Sequence, residues 1–456
     1  MKILFTIAIT LASLYSFSQK VQQRLPENTR ILFLLDGSGS MLASWEGSNR
    51  IEAAKNLLTD LVDSLKINPK LQLGLRAYGH IYSRKAQNCK DTRLEVAFAS
   101  NNHQRIIDKL AGISPKGTTP IAYSLEQAAN DFTSTSGFRN IIIIITDGIE
   151  SCDGDPCRIS LALQKQNIFL RPFIIGIGMG LEYQKEFKCI GEFYDAKDQN
   201  SFQEALQKAI STSLEPTSVS IELLDERNRP TESDINVSFI NGFTQSPVFD
   251  FVHYRDPQGR PDSVDIDPVL NYNVVANTLP PVVKRNVRIT PGEHNIIKLN
   301  TPRGSLKLRQ KGASYYENGV NVIVRDKKGT VVNLQSMNST EQYIIGDYEI
   351  EALTLPRKFF NVNIKPREIN TLTLPDPGIV NINNTSAGFG SIYELDTDGR
   401  QTWIYDLDHE QSRLSLALQP GKYKVVFRVK GAPGSKYTSI KTITVKAGLS
   451  QVVRMF

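Results

Sequence analysis

The hydrophobic rhythm of the chain changes at Pro216, and this change limits the folds that each half can adopt. Between Arg30 and about Leu214, short aliphatic runs alternate with longer segments that carry apolar residues at helical spacing. The runs are almost continuous, as expected of strands buried on both faces of a sheet. They lie at 31–35, 71–78, 141–145 and 168–177. The alternation predicts a Rossmann-like, doubly wound α/β domain with helices on both faces of an open parallel sheet.

After Pro216 the apolar residues alternate with polar ones at a period of two, and Gly, Pro, Asn and Asp separate the short runs. This pattern is typical of an all-β region. It also repeats: a tyrosine opens an alternating strand at Tyr272, Tyr348 and Tyr423, in steps of 76 and 75 residues. Each copy has an earlier turn whose last residue, Asn228, Gly329 or Gly399, suits a left-handed backbone conformation.

Tandem β-sandwich modules of roughly 75 residues explain these repeats, and a single large irregular β domain is the alternative. The first copy matches least well, and we expect its stretch 241–268 to form a long loop. The expected boundaries are residues 1–18 for a signal peptide and 19–215 for the α/β domain. The three β modules are expected at 216–302, 303–376 and 377–456.

The first residues have the layout of a secretory signal peptide. Lys2 precedes an apolar stretch from residue 3 to about 14, and Ser16 and Ser18 stand where a signal peptidase prefers small residues, before Gln19. The alternative is a membrane anchor, but spanning a bilayer takes about 18 apolar residues. We therefore expect a cleaved signal, a secreted or periplasmic (cell-envelope) protein, and no transmembrane segment after cleavage.

The net charge of +6 does not indicate a nucleic-acid partner, because Lys and Arg are scattered along the chain without a basic cluster. The four cysteines, Cys89, Cys152, Cys157 and Cys189, suggest disulfides in an exported chain. Three pairings are possible; the short spacing favours Cys152 with Cys157, which leaves Cys89 with Cys189. A zinc site is the weaker alternative, because the sequence has no CxxC and no histidine at ligand spacing.

Oxygen-bearing side chains follow the first aliphatic run, at Asp36, Ser38 and Ser40. Ligands of open parallel sheets bind beyond the carboxyl ends of the strands, so the location suits a site. Gly37 and Gly39 would remove Cβ atoms that crowd such a turn. These hard oxygen ligands favour Mg²⁺, Mn²⁺ or Ca²⁺. Taken by itself the motif is weak, since helix caps also use Asp and Ser.

Two later segments make this prediction more specific. Thr118 and Thr119 come just before Pro120 and a helical segment, and Asp147 follows the aliphatic run 141–145. Both segments should emerge at the same sheet edge as Asp36. Three segments that are distant in sequence would then provide oxygen ligands at one point.

At these residues the chain resembles the von Willebrand factor A family, over roughly 29–214. The metal-ion-dependent adhesion site of that family combines DxSxS, a later Thr and a later Asp. The resemblance assigns Asp36, Ser38, Ser40, Thr119 and Asp147 to the metal, with Thr118 as the alternative threonine. The segments 50–55, 76–80 and 146–157 look like exported bacterial members, whose Cys positions favour Cys152 with Cys157. The β repeats resemble carboxypeptidase-regulatory-like or immunoglobulin-like modules only in a general way.

The resemblance implies a divalent-metal-dependent binding or adhesion protein whose bound cation coordinates an Asp or Glu carboxylate of a partner protein. The alternative is an envelope scaffold built on the β repeats, with the first domain as its docking part. Enzyme motifs are missing: the sequence has no HExxH and no GxSxG, and Thr118 stands where a phosphate loop needs Lys. Near the site, Trp45 would either contact a partner or pack its loop, and we expect His80 to be structural.

Overall fold

The computed structural model describes residues 28–132, 137–165, 173–180, 183–187, 189–268, 270–311, 319–384, 386–407 and 413–455. The predicted signal peptide and part of the aliphatic run 168–177 lie outside these ranges. Across the described ranges, every helix is too short or too polar to cross a bilayer.

The first half contains a central sheet and the helices that cover it. Its strands are β1 (Asn28–Asp36), β2 (Ser44–Trp45), β3 (Ser48–Asn49), β4 (Leu71–Tyr78), β5 (Thr92–Ala99), β6 (Phe138–Thr146), β7 (Phe173–Ile177) and β8 (Glu192–Ala196). Its helices are α1 (Arg50–Ser64), α2 (His103–Gly112), α3 (Ile121–Asp131), α4 (Pro156–Lys165), α5 (Gln184–Phe187) and α6 (Gln199–Leu214).

The central sheet has the strand order β5-β4-β1-β6-β7-β8. All neighbours are parallel except β5, which pairs antiparallel with β4 at one edge. The chain moves from β1 towards β4 on one side and from β6 towards β7 on the other. The crevice between the carboxyl ends of β1 and β6 is therefore the topological switch point, where open α/β sheets bind their ligands.

Each face of the central sheet has its own core, because successive strand residues point to opposite faces. Ile31, Phe33 and Leu35 of β1 pack with α1, α2 and α6. Leu32 and Leu34 pack on the other face with α3, α4 and α5. The predicted doubly wound α/β fold is confirmed, with the antiparallel edge strand β5 as an addition.

The second half consists of strands in three successive groups. The first group is β9 (Ser218–Leu224), β10 (Asn236–Asn241), β11 (Pro247–Val252), β12 (Ser263–Asp265), β13 (Tyr272–Ala276), β14 (Val282–Val287) and β15 (His294–Asn300). The second is β16 (Arg303–Gln310), β17 (Asn321–Asp326), β18 (Val331–Ser336), β19 (Thr340–Ile344), β20 (Gly346–Ala352), β21 (Lys358–Ile364) and β22 (Ile369–Leu374). The third is β23 (Gly378–Asn383), β24 (Gly388–Leu395), β25 (Gln401–Leu407), β26 (Arg413–Leu418), β27 (Gly421–Val429), β28 (Thr438–Val445) and β29 (Ser450–Arg454).

Each group forms a four-stranded and a three-stranded sheet around its own hydrophobic core. We call the groups the first, second and third β modules. This architecture agrees with the predicted β repeats, while the exact module boundaries stay predictions.

The repeated tyrosines occupy the same position in each module. Tyr272, Tyr348 and Tyr423 are buried in β13, β20 and β27. Their hydroxyls donate to the backbone carbonyls of Asp267, Ile344 and Gln419, four or five residues upstream, at 2.8, 2.7 and 2.5 Å. This is the tyrosine corner of β-sandwiches. The repeat is therefore visible in the sequence because each copy buries a phenol that needs a nearby acceptor.

The repeated turns and the stretch 241–268 were both predicted from the sequence, with different outcomes. The turn residues Asn228, Gly329 and Gly399 have φ of 57°, 78° and 79°, which confirms the predicted left-handed positions. The expectation of a long loop at 241–268 is wrong, because β11 and β12 lie there and pair with β10 and β9. The polar residues of this stretch hid the strands, since β11 and β12 are only partly buried.

The disulfide pairing expected from the sequence is also wrong. Cys89 pairs with Cys152, and Cys157 pairs with Cys189, with Cα atoms 5.5 and 5.2 Å apart. The loop that follows β4 lies beside the loop that follows β6, which places Cys89 next to Cys152. Cys157 lies at the start of α4 and faces the segment before β8. All four cysteines are disulfide-bonded, as expected.

Candidate metal centre

Backbone hydrogen bonds hold together the loops at the switch point. Gly39 N–H donates to the carbonyl of Gly117 at 3.0 Å, and Lys116 N–H donates to the carbonyl of Gly37 at 3.0 Å. Ser151 N–H, in the loop after β6, donates to the carbonyl of Thr119 at 3.1 Å. The segments after β1, before α3 and after β6 therefore meet at one point, as the sequence predicted.

Asp36 is the last residue of β1, and its side chain is fully buried. One carboxylate oxygen accepts from Ser38 N–H at 2.7 Å, and the other accepts from the Thr146 hydroxyl at 2.7 Å. Burial, together with the negative charge of Asp147, raises the pKa of Asp36 to about 6. A buried carboxylate with a like charge nearby is a group that a cation would stabilise.

Ser38, Ser40 and Asp147 form a chain of side-chain hydrogen bonds. The two serine hydroxyls lie 2.9 Å apart, and the Ser40 hydroxyl donates to Asp147 Oδ1 at 2.8 Å. Asp147 Oδ2 accepts from Arg50 Nη1 at 2.6 Å. The structure thus brings Asp147, which follows β6, to the motif residues Asp36, Ser38 and Ser40, which follow β1.

The two threonines before Pro120 differ in what their hydroxyls do. Thr118 Oγ1 donates to the backbone carbonyl of Asn88 at 3.1 Å. Thr119 is held through its backbone, whose N–H donates to Ser151 Oγ at 2.8 Å. Its hydroxyl has no hydrogen-bond partner among the described residues. The hydroxyl of Thr119 is therefore the one left available to a ligand.

Glycine is required at two positions around this loop, but not at both of the predicted ones. A Cβ on Gly37 would lie 2.8 Å from the carbonyl oxygen of Tyr78, which is backbone and cannot easily move. A Cβ on Gly39 would meet nothing closer than 3.9 Å, so the expected crowding at Gly39 is wrong. Gly79, with φ of +67°, lies against Ser38 and the carbonyl of Thr118 and has the stricter requirement.

Sequence reasoning placed Tyr78 at this sheet edge without giving it a contact, and it gave no role to Thr146 or Arg50. Thr146 bridges Asp36 and the carbonyl of Gly148, at 2.7 and 3.0 Å. Tyr78 is buried at the end of β4; burial and the charge of Asp36 raise the pKa of its hydroxyl well above the usual range. Arg50 pairs with Asp147. Thr146 and Tyr78 each end an aliphatic run, which is a usable signal, whereas nothing in the spacing of Arg50 indicates its partner.

The two residues considered for the rim are both buried. The Trp45 ring packs edge-on against Phe202, with centroids 6.5 Å apart. His80 Nε2 lies 2.8 Å from Glu95 Oε1, and both side chains are about 5% exposed. Both side chains therefore contribute to packing in this conformation.

The donor set fits a hard divalent cation. It consists of carboxylate and hydroxyl oxygens, which are the ligands that Mg²⁺, Mn²⁺ and Ca²⁺ prefer. Across the described ranges, groups of three or more His, Cys, Asp or Glu suited to a metal are absent. A cation at this site would therefore depend on Asp36 and Asp147 for charge and on the hydroxyls for further ligands.

Comparisons with known proteins point to the same part of the chain. Residues 31–220 match the von Willebrand factor type A domain family. The uncharacterised protein YwmD of Bacillus subtilis is 28% identical over 212 residues, covering 44% of this chain and 93% of YwmD. YwmC of the same organism is 27% identical over 194 residues, covering 41% of this chain and 85% of YwmC.

Proteins of known structure also match this chain. BatB from Bacteroides thetaiotaomicron has a TM-score of 0.33 and 23% identity, covering 41% of this chain and 98% of BatB. The pilus adhesin SpaC from Lactobacillus rhamnosus GG has a TM-score of 0.34 and 10% identity, covering 93% of this chain and 83% of that chain.

Proposed function

We propose, from the premise that residues 31–220 form a von Willebrand factor type A domain, that this domain binds a divalent cation and through it an acidic side chain of a partner protein. The family match supports a protein-interaction or adhesion module. The observation that carries the metal-dependent part is the convergence of Asp36, Ser38, Ser40 and Asp147 at the switch point of the sheet.

In this proposal Asp36, Ser38, Ser40 and Thr119 contact the cation directly, and Asp147 acts through a water molecule. The cation would supply positive charge and an open coordination position for a carboxylate. Asp36 and Thr146 keep the ligand loop in place through their 2.7 Å hydrogen bond. With one carboxylate in direct contact, the cation would remain electrophilic enough to hold a second one from a partner.

Exposed apolar side chains beside the ligand loops support a protein as the partner. Leu42 follows the DxSxS motif and is 56% exposed, and Ile149 follows Asp147 and is 43% exposed. Apolar side chains around a central polar contact are typical of protein interfaces. The two disulfides support an oxidising compartment, either secreted or in the cell envelope.

Calorimetry of the chain without its first 18 residues tests the metal assignment. Wild-type protein should bind one equivalent of Mg²⁺ or Mn²⁺, and Asp36→Ala should bind none. The matched control is Asp60→Ala, because Asp60 is an exposed carboxylate on α1. Binding by the Asp36 variant with wild-type affinity would refute the assignment. A pulldown of envelope proteins with and without EDTA then tests whether the partner depends on the cation.

A further inference from the structure

Arg50 places a positive charge at the candidate metal centre. Its Nη1 atom lies 2.6 Å from Asp147 Oδ2, while Asp147 Oδ1 accepts from the Ser40 hydroxyl. The Asp147 side chain is fully buried and that of Arg50 is 23% exposed. This ion pair is therefore part of the centre, because Asp147 contacts both Arg50 and the proposed direct ligand Ser40.

The backbone fixes where Arg50 stands. It is the first residue of α1, whose N-cap residue Asn49 accepts from Glu52 N–H at 2.9 Å. Arg50 N–H donates to the carbonyl of Ala43, in the loop that follows the DxSxS motif, at 3.1 Å. The guanidinium group is thus presented to Asp147 by a capped helix and by the ligand loop itself.

Two buried donors beside the guanidinium group have no acceptor. Arg50 Nε and the indole N–H of Trp45 are buried without hydrogen-bond partners. Both side chains face Gly178, since a Cβ added there would lie 3.5 Å from Arg50 Nη2 and 3.6 Å from Trp45 Nε1. Buried donors without acceptors cost free energy, so this side of the centre favours an incoming oxygen.

A charge count shows what Arg50 changes. Two carboxylates, Asp36 and Asp147, and one guanidinium give the centre a net charge of one negative. A divalent cation would bring it to one positive, and one partner carboxylate would then bring it to neutral. Without Arg50 the cation would neutralise the centre by itself, and a partner carboxylate would add an uncompensated charge.

We propose that Arg50 is a specificity-determining residue, which weakens cation binding and strengthens binding of the partner carboxylate. This inference rests on the proposed cation site. In the cation-free protein Arg50 neutralises Asp147. In the cation-bound protein its charge repels the cation and attracts the carboxylate.

Opposite effects on the two ligands test the proposal. Calorimetry with Mn²⁺ should show that Arg50→Gln binds the cation roughly tenfold more tightly than wild type, the size expected for removing one nearby like charge. Acetate, added to the Mn²⁺-loaded protein and followed by water proton relaxation, should bind the variant roughly tenfold more weakly. Arg50→Lys keeps the charge and should resemble wild type in both measurements. A purely structural role would weaken both ligands in Arg50→Gln.

The possible results separate this inference from the proposed function. If wild-type protein binds no Mn²⁺, or if acetate leaves its relaxation unchanged, the proposed function fails. If wild type binds both ligands and Arg50→Gln binds Mn²⁺ equally or more weakly, the role of Arg50 is refuted. If the variant unfolds in EDTA, its melting temperature should recover to the wild-type value at saturating Mn²⁺, and a failure to recover also refutes the role.

Discussion

Neighbouring residues with the same chemistry have different roles at the switch point, and their hydrogen bonds show why. Thr118 and Thr119 are both buried and both carry a hydroxyl. The Thr118 hydroxyl donates to the carbonyl of Asn88, while the Thr119 hydroxyl has no hydrogen-bond partner among the described residues. At this scale the site depends on side-chain direction more than on residue type.

The two threonines therefore provide a matched pair of variants. We expect Thr119→Ala to lower cation affinity roughly tenfold or more, because it removes a ligand oxygen. Thr118→Ala should leave the affinity close to wild type and lower stability by about 1 kcal/mol, the typical value of one hydrogen bond. Mn²⁺ calorimetry and thermal melting measure both effects. The reverse order of affinities would make Thr118 the ligand.

Asp36 makes the cation-free protein sensitive to pH. Its pKa is raised to about 6 in the folded chain, from an ordinary value of 3.8. Between these values the folded chain keeps a proton that the unfolded chain has released. The free energy of unfolding should therefore fall as pH rises from about 4 to about 6, by up to about 3 kcal/mol, and stay level above.

Urea unfolding in EDTA, compared with Asp36→Asn, isolates this effect, because asparagine has a similar shape and does not titrate. As pH rises across this range, the unfolding free energy of wild type should fall relative to that of the variant. A difference that does not change with pH would show that Asp36 does not titrate there. Saturating Mn²⁺ should restore the lost free energy of unfolding above pH 6, since a cation stabilises the ionised carboxylate.

At the scale of elements, the disulfides connect loops that lie at the same edge of the sheet. Cys89 follows Asn88, which accepts from Thr118, and Cys152 follows Ser151, which accepts from Thr119 N–H. The Cys89–Cys152 disulfide therefore joins the loops on both sides of the threonine segment. The Cys157–Cys189 disulfide joins α4 to the segment between α5 and β8 instead.

Removing the disulfides one at a time should show which of them affects cation binding as well as stability. Both double Cys→Ser variants should lose stability, by about 2–5 kcal/mol. Only Cys89→Ser/Cys152→Ser should also bind Mn²⁺ several-fold more weakly, because its loops hold Thr119 in place. Calorimetry at a temperature where both variants are folded compares their Mn²⁺ affinities. Equal affinities in the two variants would contradict this role of the Cys89–Cys152 disulfide.

At the scale of the whole molecule, ion pairs join the α/β domain to the β modules and the modules to each other. Arg139 of β6 contacts Asp267 of the first β module. Arg303 donates to Glu232 at 2.9 Å, and Arg367 donates to Asp225 at 2.9 Å, which links the second module to the first. Asp225 is buried, and its hydrogen bonds hold its pKa well below the usual range. These ion pairs therefore connect the α/β domain to the first module and the first module to the second.

We expect Arg303→Ala/Arg367→Ala to loosen the junction between the first and second modules, because a buried carboxylate and a near-buried one each lose a partner. Small-angle X-ray scattering should show a broader range of molecular dimensions for this variant. The control is Arg229→Ala, which removes a partner of Asp225 from within the same module. If the control and the double variant scatter alike, the junction does not depend on these arginines.

The sequence by itself determined the two-part architecture and indicated which segments meet at the candidate site. Strands buried on both faces must be aliphatic, so β1, β4 and β6 are visible as runs, and Asp36 and Asp147 stand where the runs end. The tyrosine corners are visible because each buried phenol is followed by an alternating strand. These features depend on residues that are close in sequence, where periodicity and burial are directly linked.

Only the tertiary structure decided which distant groups are adjacent. The pairing of Cys89 with Cys152, the hydrogen bond that occupies the Thr118 hydroxyl but not that of Thr119, and the contact of Arg50 with Asp147 all depend on how loops from different strands lie against each other. Spacing along the chain carries no information on that arrangement. Loop neighbours are set by the strand order, and side-chain directions by the backbone hydrogen bonds between the loops.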